Sequence, residues 1–186
     1  MALPRLETLA EIEAALLREL GRAPRDKHHE WRTPVLATRD GDSADARTVV
    51  LREVDEPART LRVFTDSRSA KVAQLLAHPQ GTLVMWSSRL SWQLRLRVAL
   101  QVEIDGLALA SRWAKLKLSP GAQDYLSPLA PGSVLDGSPA PAPMTHDRGH
   151  FAMISIEVQS IDWLELHAEG HRRACFDAAG ARWLAP

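Results

Sequence analysis

Two stretches of this chain carry residues suited to holding a phosphate. Arg47-Thr48-Val49-Val50-Leu51-Arg52 brackets an apolar run with two cations, and Thr65-Asp66-Ser67-Arg68-Ser69-Ala70-Lys71 combines hydroxyls with two more. The second stretch reads as a strand end, a turn and a helix start. Helix N-termini and charge-assisted donors both favour anions, so this pattern can cradle a phosphate dianion. Gln93 and Arg95 fall on one face of a later strand, where a side-chain amide can meet the edge of a heterocycle. Each stretch taken alone is also what a solvated strand edge looks like. The case for a site rests on their occurring together.

Other chemistries find less support. G-x-G-x-x-G, the P-loop and G-x-S-x-G are all missing, and Arg68 stands where a serine would complete S-x-x-K with Lys71. His146 and His150 are four apart and His28-His29 lie elsewhere, with no carboxylate pattern around them. They read as solvent-exposed histidines, and no metal site is expected. Cys175 is the single cysteine, which excludes an intrachain disulfide, and its setting in Arg173-Ala174-Cys175-Phe176 reads as a small buried strand residue.

The 186 residues suffice for one domain spanning 1–186, with a hydrophobic share of 45% and a charged share of 25%. Lys plus Arg and Asp plus Glu both total 23, and this balance argues against a dedicated nucleic-acid or acidic-membrane binder. No apolar run is long enough to span a bilayer and the N-terminus shows no apolar leader, so the cytoplasm is the expected location.

The elements that must position the candidate residues follow from periodicity. Residues 1–30 form an N-terminal helix and entry segment, the helix running from Thr8 to Leu20 with a Thr8/Glu11 capping box and Gly21 as its stop. Strands are expected over 35–39, 46–53 and 61–65, with Asp40-Gly41-Asp42 turning between the first two. A helix over 69–77 should turn Val72, Leu75 and Leu76 inward, and a strand over 81–87 follows. From Trp92 to Ile104 every even position is apolar, while the odd positions carry Gln93, Arg95, Arg97, Gln101 and Glu103 with Ala99 between. That is one long strand with a buried and a polar face. A helix over 107–118, a mobile Pro/Gly/Ala-rich loop over 127–149, and strands over 151–158, 161–167 and 171–176 complete the chain. The expected class is mainly β with peripheral helices (α+β), an antiparallel barrel.

The order of these motifs resembles the pyridoxamine 5'-phosphate oxidase family of FMN-binding split β-barrels. The resemblance is carried by Arg47 to Arg52, Phe64-Thr65, Ser69-Ala70-Lys71 with His78-Pro79, Trp86, and Leu90 to Arg95. In the tail it continues through Ile156-Glu157, Trp163, His171-Arg172-Arg173 and Trp183 to Pro186. It implies an FMN cofactor and a homodimer with the flavin at the interface. It also implies FMN contacts from Arg47, Thr48, Val49, Val50, Arg52, Phe64, Thr65, Ser69, Lys71 and Gln93, with Trp163 and Arg173 supplied by the second subunit. Arg47 and Arg52 have opposite parity on a regular strand, so without a bulge only one of them reaches a given phosphate.

The departures from the family pattern are equally specific. Ala70 replaces an FMN-phosphate arginine, which Arg68 could replace in turn. The substrate-phosphate triplet falls near Tyr125, Leu129 and Ser133, with leucine where an arginine is needed, and Glu169 occupies another substrate arginine's position. The resemblance therefore implies an FMN-dependent oxidoreductase acting on a small molecule other than phosphorylated pyridoxamine. Two alternatives stay open: a non-catalytic flavin or cofactor binder on the same fold, and a barrel holding single-stranded nucleic acid along Gln93, Arg95 and Arg97. In the latter, Trp31, Trp86, Trp92 and Trp113 would stack on bases.

Overall fold

The first helix, α1 (Leu9–Arg22), begins where Thr8 and Glu11 cap each other. Thr8 Oγ1 accepts from the Glu11 N–H at 3.2 Å, and the Glu11 carboxylate accepts from the Thr8 N–H at 2.9 Å. Ile12, Ala15, Leu16 and Leu20 form its buried stripe. The helix runs through Gly21, its expected stop, and ends just before Pro24, which has no N–H to continue it. These coordinates come from a computed structural model that describes residues 5–55, 59–135, 137 and 149–186.

Nine antiparallel strands make one curled sheet: β1 (Val35–Asp40), β2 (Ser43–Thr48), β3 (Leu51–Asp55), β4 (Thr60–Asp66), β5 (Gln80–Ser87), β6 (Trp92–Glu103), β7 (Phe151–Glu165), β8 (Arg172–Asp177) and β9 (Gly180–Leu184). Their order is β2-β1-β5-β6-β7-β4-β3, with β8 added to β7 and β9 to β8. β6 is the long two-faced strand that the alternation predicts, burying Trp92, Leu94, Leu96, Val98 and Leu100. Ile104, the last member of the alternation, lies beyond the strand and is exposed.

The tail departs from the expected pair of strands at 151–158 and 161–167. β7 is continuous, but its register against β6 shifts between the Arg97 and Val98 pairs, leaving Gln159 unpaired. Such a bulge bends a strand and increases its twist. On one side of it, residues from Phe151 to Glu157 pair with β4; on the other, Ser160 to Glu165 pair with β8. The sheet divides at this point. The expected strand over 46–53 is likewise two strands: the β1–β2 ladder ends where the Val49 N–H donates at 2.9 Å to the carbonyl of Pro34, which has no N–H to return.

The two faces of the sheet carry separate cores. Inside lie the β6 residues together with Leu36, Leu83, Ile154, Ile161, Trp163 and the buried stripe of α1. Outside, Leu109 and Trp113 of α3 (Leu107–Leu116), with Ala122 and Tyr125 of a 3-10 turn over Pro120–Tyr125, pack on Phe151 and Met153. The remaining helix, α2 (Ala70–Ala77), packs against β1 and β6. The expectation of a mobile loop within 127–149 rests mainly on 136 and 138–148, which lie outside the described residues, as does His146. No helix among the described residues is long and apolar enough to cross a membrane.

His29 corrects an expectation of solvent exposure. Its ring is buried, with Nδ1 accepting from the Trp31 N–H at 3.1 Å and Nε2 at 3.1 Å from Glu19. Beside it, Glu30 ties the entry segment to the β5–β6 turn by accepting from the Ser87 and Ser88 hydroxyls and, at 3.0 Å, from the Ser88 N–H. Those hydroxyl donors hold the Glu30 carboxyl at about 2 instead of its ordinary 4.5. A depressed folded-state pKa stabilises the fold above the unfolded value and loses that contribution as acid protonates the group. Glu30→Gln should therefore be less stable than the parent at neutral pH in urea melts, with the difference shrinking between about pH 4.5 and 2. A difference that stays constant over that window would contradict this role.

Candidate functional site

The cradle forms where the ends of β2 and β4 meet the start of α2. Thr65 is buried at the end of β4, and its Oγ1 lies 3.2 Å from Ser69 Oγ. Ser69 occupies the N-cap position of α2 without making a side-chain cap, so its hydroxyl is left for the cluster. Lys71 Nζ donates to Thr65 Oγ1 at 3.0 Å and to Ser69 Oγ at 3.1 Å. Burial, reinforced by the nearby Arg47 cation, pushes the Lys71 ammonium below its ordinary value. No carboxylate pairs with this ammonium at salt-bridge distance among the described residues. A half-buried cation that donates only to hydroxyls, beside the first turn of a helix, is an arrangement that an anion would stabilise.

Arg47 approaches from β2 and is held by groups the sequence did not single out. Its guanidinium donates to Thr38 Oγ1, to the Asp45 carboxylate and, at 2.8 Å, to Gln74 Oε1. Gln74 also accepts from Thr38 at 2.7 Å and donates to Asp45 at 3.1 Å. The Gln74 amide and Arg47 together keep the Asp45 carboxyl below its usual range. This network explains a shift in the phase of α2. Gln74 is buried and Leu76 is 73% exposed, against the expectation that Leu76 turns inward. A glutamine two residues after the inward Val72 was the available signal, and apolar periodicity hid it.

The other predicted residues fall elsewhere. Arg52 sits at a bulge in the β3–β4 ladder, 5.9 Å from the Phe64 ring and beside the Tyr125 hydroxyl. It and Phe64 therefore face the outer core, and Arg47 alone of the two arginines reaches the cradle. Thr48 ends β2, and Val49 and Val50 form the crossing to β3, with Val49 buried. Arg68 is not free to replace the missing arginine. It pairs with Asp66 at 2.7 Å and donates to the carbonyls of Ser127, Pro128 and Leu129, clamping that loop.

Gln93 and Arg173 share one row across the outer face, Trp86–Gln93–Leu164–Arg173–Leu184. Arg173 and Arg95 converge on Asp162 in the next row. Trp163 has the opposite parity: it is 0% exposed, edge-on to Trp92 at 5.5 Å, and is not brought to the other site residues. Among the four tryptophans considered for base stacking, Trp31, Trp92 and Trp113 are buried, so only Trp86 offers a ring to solvent.

A family model described as the pyridoxamine 5'-phosphate oxidase FMN-binding domain matches residues 11–103. The match covers half of the chain and includes Arg47 to Arg52, Thr65 to Lys71 and Gln93. The chain belongs to this family. It is 28% identical over 159 residues to a pyridoxine/pyridoxamine 5'-phosphate oxidase of Caulobacter vibrioides, covering 80% of this chain and 71% of that protein. Two solved structures share the split-barrel fold. A pyridoxamine 5'-phosphate oxidase-related, FMN-binding protein of Nostoc punctiforme is 22% identical with a TM-score of 0.73, over 97% of this chain and 100% of that one. PhzG of Burkholderia lata, solved with tetrahydrophenazine-1-carboxylic acid, is 16% identical with a TM-score of 0.74 over the whole of both chains.

An anion completing the cradle binds the folded state alone and so raises its stability. Millimolar inorganic phosphate should raise the melting temperature of the parent and leave Lys71→Gln close to its own phosphate-free value. Equal shifts in the two proteins would show that phosphate acts elsewhere.

Proposed function

We propose that this protein is an FMN-dependent oxidoreductase, a homodimer that acts on a small molecule other than a phosphorylated pyridoxamine. The observation that carries this reading is Lys71, a half-buried cation with two hydroxyl partners in a chain of an FMN-binding family. Arg47, Thr65, Ser69 and Lys71 fit the phosphate end of FMN in charge and donor count. Bound FMN supplies redox chemistry of its own, so the protein's task is to bind, orient and shield.

Lys71 and Arg47 supply charge to the phosphate, and the Gln74–Thr38–Asp45 network holds the Arg47 guanidinium in place. Gln93 presents an amide donor and acceptor to the edge of a ring. Strand parity supports a second copy. Arg47 shares a cross-strand row with the buried Leu36, Leu83 and Leu96, whereas Gln93 and Arg173 stand on the opposite face. A flavin held at the cradle would therefore meet such an outer row on a partner chain. Trp163 drops out of the proposed contact set, since its ring is enclosed by its own subunit.

The substrate reading rests on groups that do not assemble into a second phosphate site. Tyr125 is buried against Phe151, Leu129 is 51% exposed, and the Ser133 hydroxyl donates to the Ala130 carbonyl. The Glu169 side chain is 79% exposed and would repel a dianion.

Protein given one equivalent of FMN should retain the flavin through desalting and sediment as a dimer. In air it should form neither pyridoxal 5'-phosphate nor peroxide from pyridoxamine 5'-phosphate. A monomer that holds FMN tightly would overturn the shared site, and turnover near 1 per second, an ordinary enzymatic rate, would overturn the substrate reading.

A further inference from the structure

A second cleft, separate from the cradle, opens between α1, the β5–β6 turn and the end of β7, with a volume of about 450 Å³. That volume lies within the range of small-molecule sites. Leu6, Ala15, Leu90 and Trp92 supply its apolar lining, and Arg5, Arg18, Arg22 and Arg89 supply its cations. Two carboxylates, Glu19 and Glu165, also line it, and both are already engaged. Glu19 accepts from Arg22 at 2.9 Å and from Arg89, and has His29 at 3.1 Å. Glu165 accepts from Arg5 at 2.9 Å and from Arg172 at 2.8 Å.

Donors remain in excess. A guanidinium offers five N–H groups. Among the described residues, Arg22 spends only its Nη1 on Glu19, and Arg89 only its Nη2. Arg18 is exposed and makes no ion pair among the described residues. Four arginines against two engaged carboxylates leave a net positive rim above an apolar floor of partly exposed leucines.

We propose that this cleft binds a small organic anion with an apolar body, an aryl or short acyl carboxylate or sulfonate, independently of the flavin. The body lies on Leu6, Leu90 and Leu166, which line the cleft and are partly exposed, and the anionic group meets the spare donors of Arg18, Arg22 and Arg89. A neutral compound of the same shape gains only the apolar contact. A compact inorganic anion gains only the rim, where exposed charge pairs contribute little.

The test uses 1-anilinonaphthalene-8-sulfonate as probe and N-phenyl-1-naphthylamine as its neutral analogue, on protein with and without saturating FMN. The sulfonate should bind at one site per chain with enhanced emission, and FMN should not displace it. Arg18→Gln combined with Arg89→Gln removes two exposed cations without touching either core. This variant should keep the parent melting temperature, weaken the sulfonate at least tenfold and leave the neutral analogue unchanged. Displacement by FMN would assign the probe to the cradle and overturn the proposal. So would sulfonate binding that the double variant does not weaken, or an equal loss of both probes. Because the readout needs no flavin, failure here leaves the FMN reading untouched, and failure of FMN binding leaves this site standing.

Discussion

The pairing of β6 with β7, interrupted once at Gln159, is the constraint on which the rest of this structure depends. β6 commits its even positions to the interior, so every strand in register with it inherits the same division of faces. The bulge lets β7 turn from β4 to β8 without a break in the chain. One strand thereby joins β4 and β3 to the sheet through one half and the Arg173 row of β8 through the other. Had β7 stayed straight, its two halves could not have served two partners, and the outer row would have had no β8 to include.

The cradle is where this division of faces has chemical consequences. Thr65 and Arg47 lie on the inner parity at the ends of their strands, where the interior gives way to α2. A cation there is partly desolvated and costs free energy unless it is paired. Arg47 is paired internally, by Asp45 and Gln74, whereas Lys71 has only hydroxyls. Its depressed pKa reflects the same imbalance. The two cations thus differ in kind: a carboxylate and an amide fix Arg47, whereas Lys71 has no carboxylate at salt-bridge distance among the described residues.

The period-two run from Trp92 to Ile104 made β6 and its two faces legible in the sequence, and the Thr8/Glu11 pair did the same for the start of α1. The cradle was legible in part, because Thr65, Ser69 and Lys71 are close in sequence and their types declare phosphate chemistry. What stayed hidden depends on contacts distant along the chain. Gln74 looked like a solvent-facing residue between apolar neighbours, yet Arg47, Thr38 and Asp45 draw it inward. Arg68 looked free, yet Asp66 and three loop carbonyls occupy it. Trp163 carried the family position of a flavin contact, but the register past Gln159 places it on the core parity. Bulges of one residue invert such assignments; the strand pattern broke at 159–160, but not in a way that told a one-residue bulge in a continuous strand from a gap between two strands.

The role proposed for Lys71 and its neighbours is recognition of a phosphate. It is tested most directly by comparing the affinities of FMN and riboflavin, which differ by that phosphate alone, in the parent protein and in Lys71→Ala. A charge-assisted contact contributes about 1.5–3 kcal/mol, so FMN should bind the parent at least about tenfold more tightly than riboflavin. In Lys71→Ala that ratio should fall toward one, with riboflavin affinity unchanged. Equal affinities for FMN and riboflavin in the parent would contradict the account.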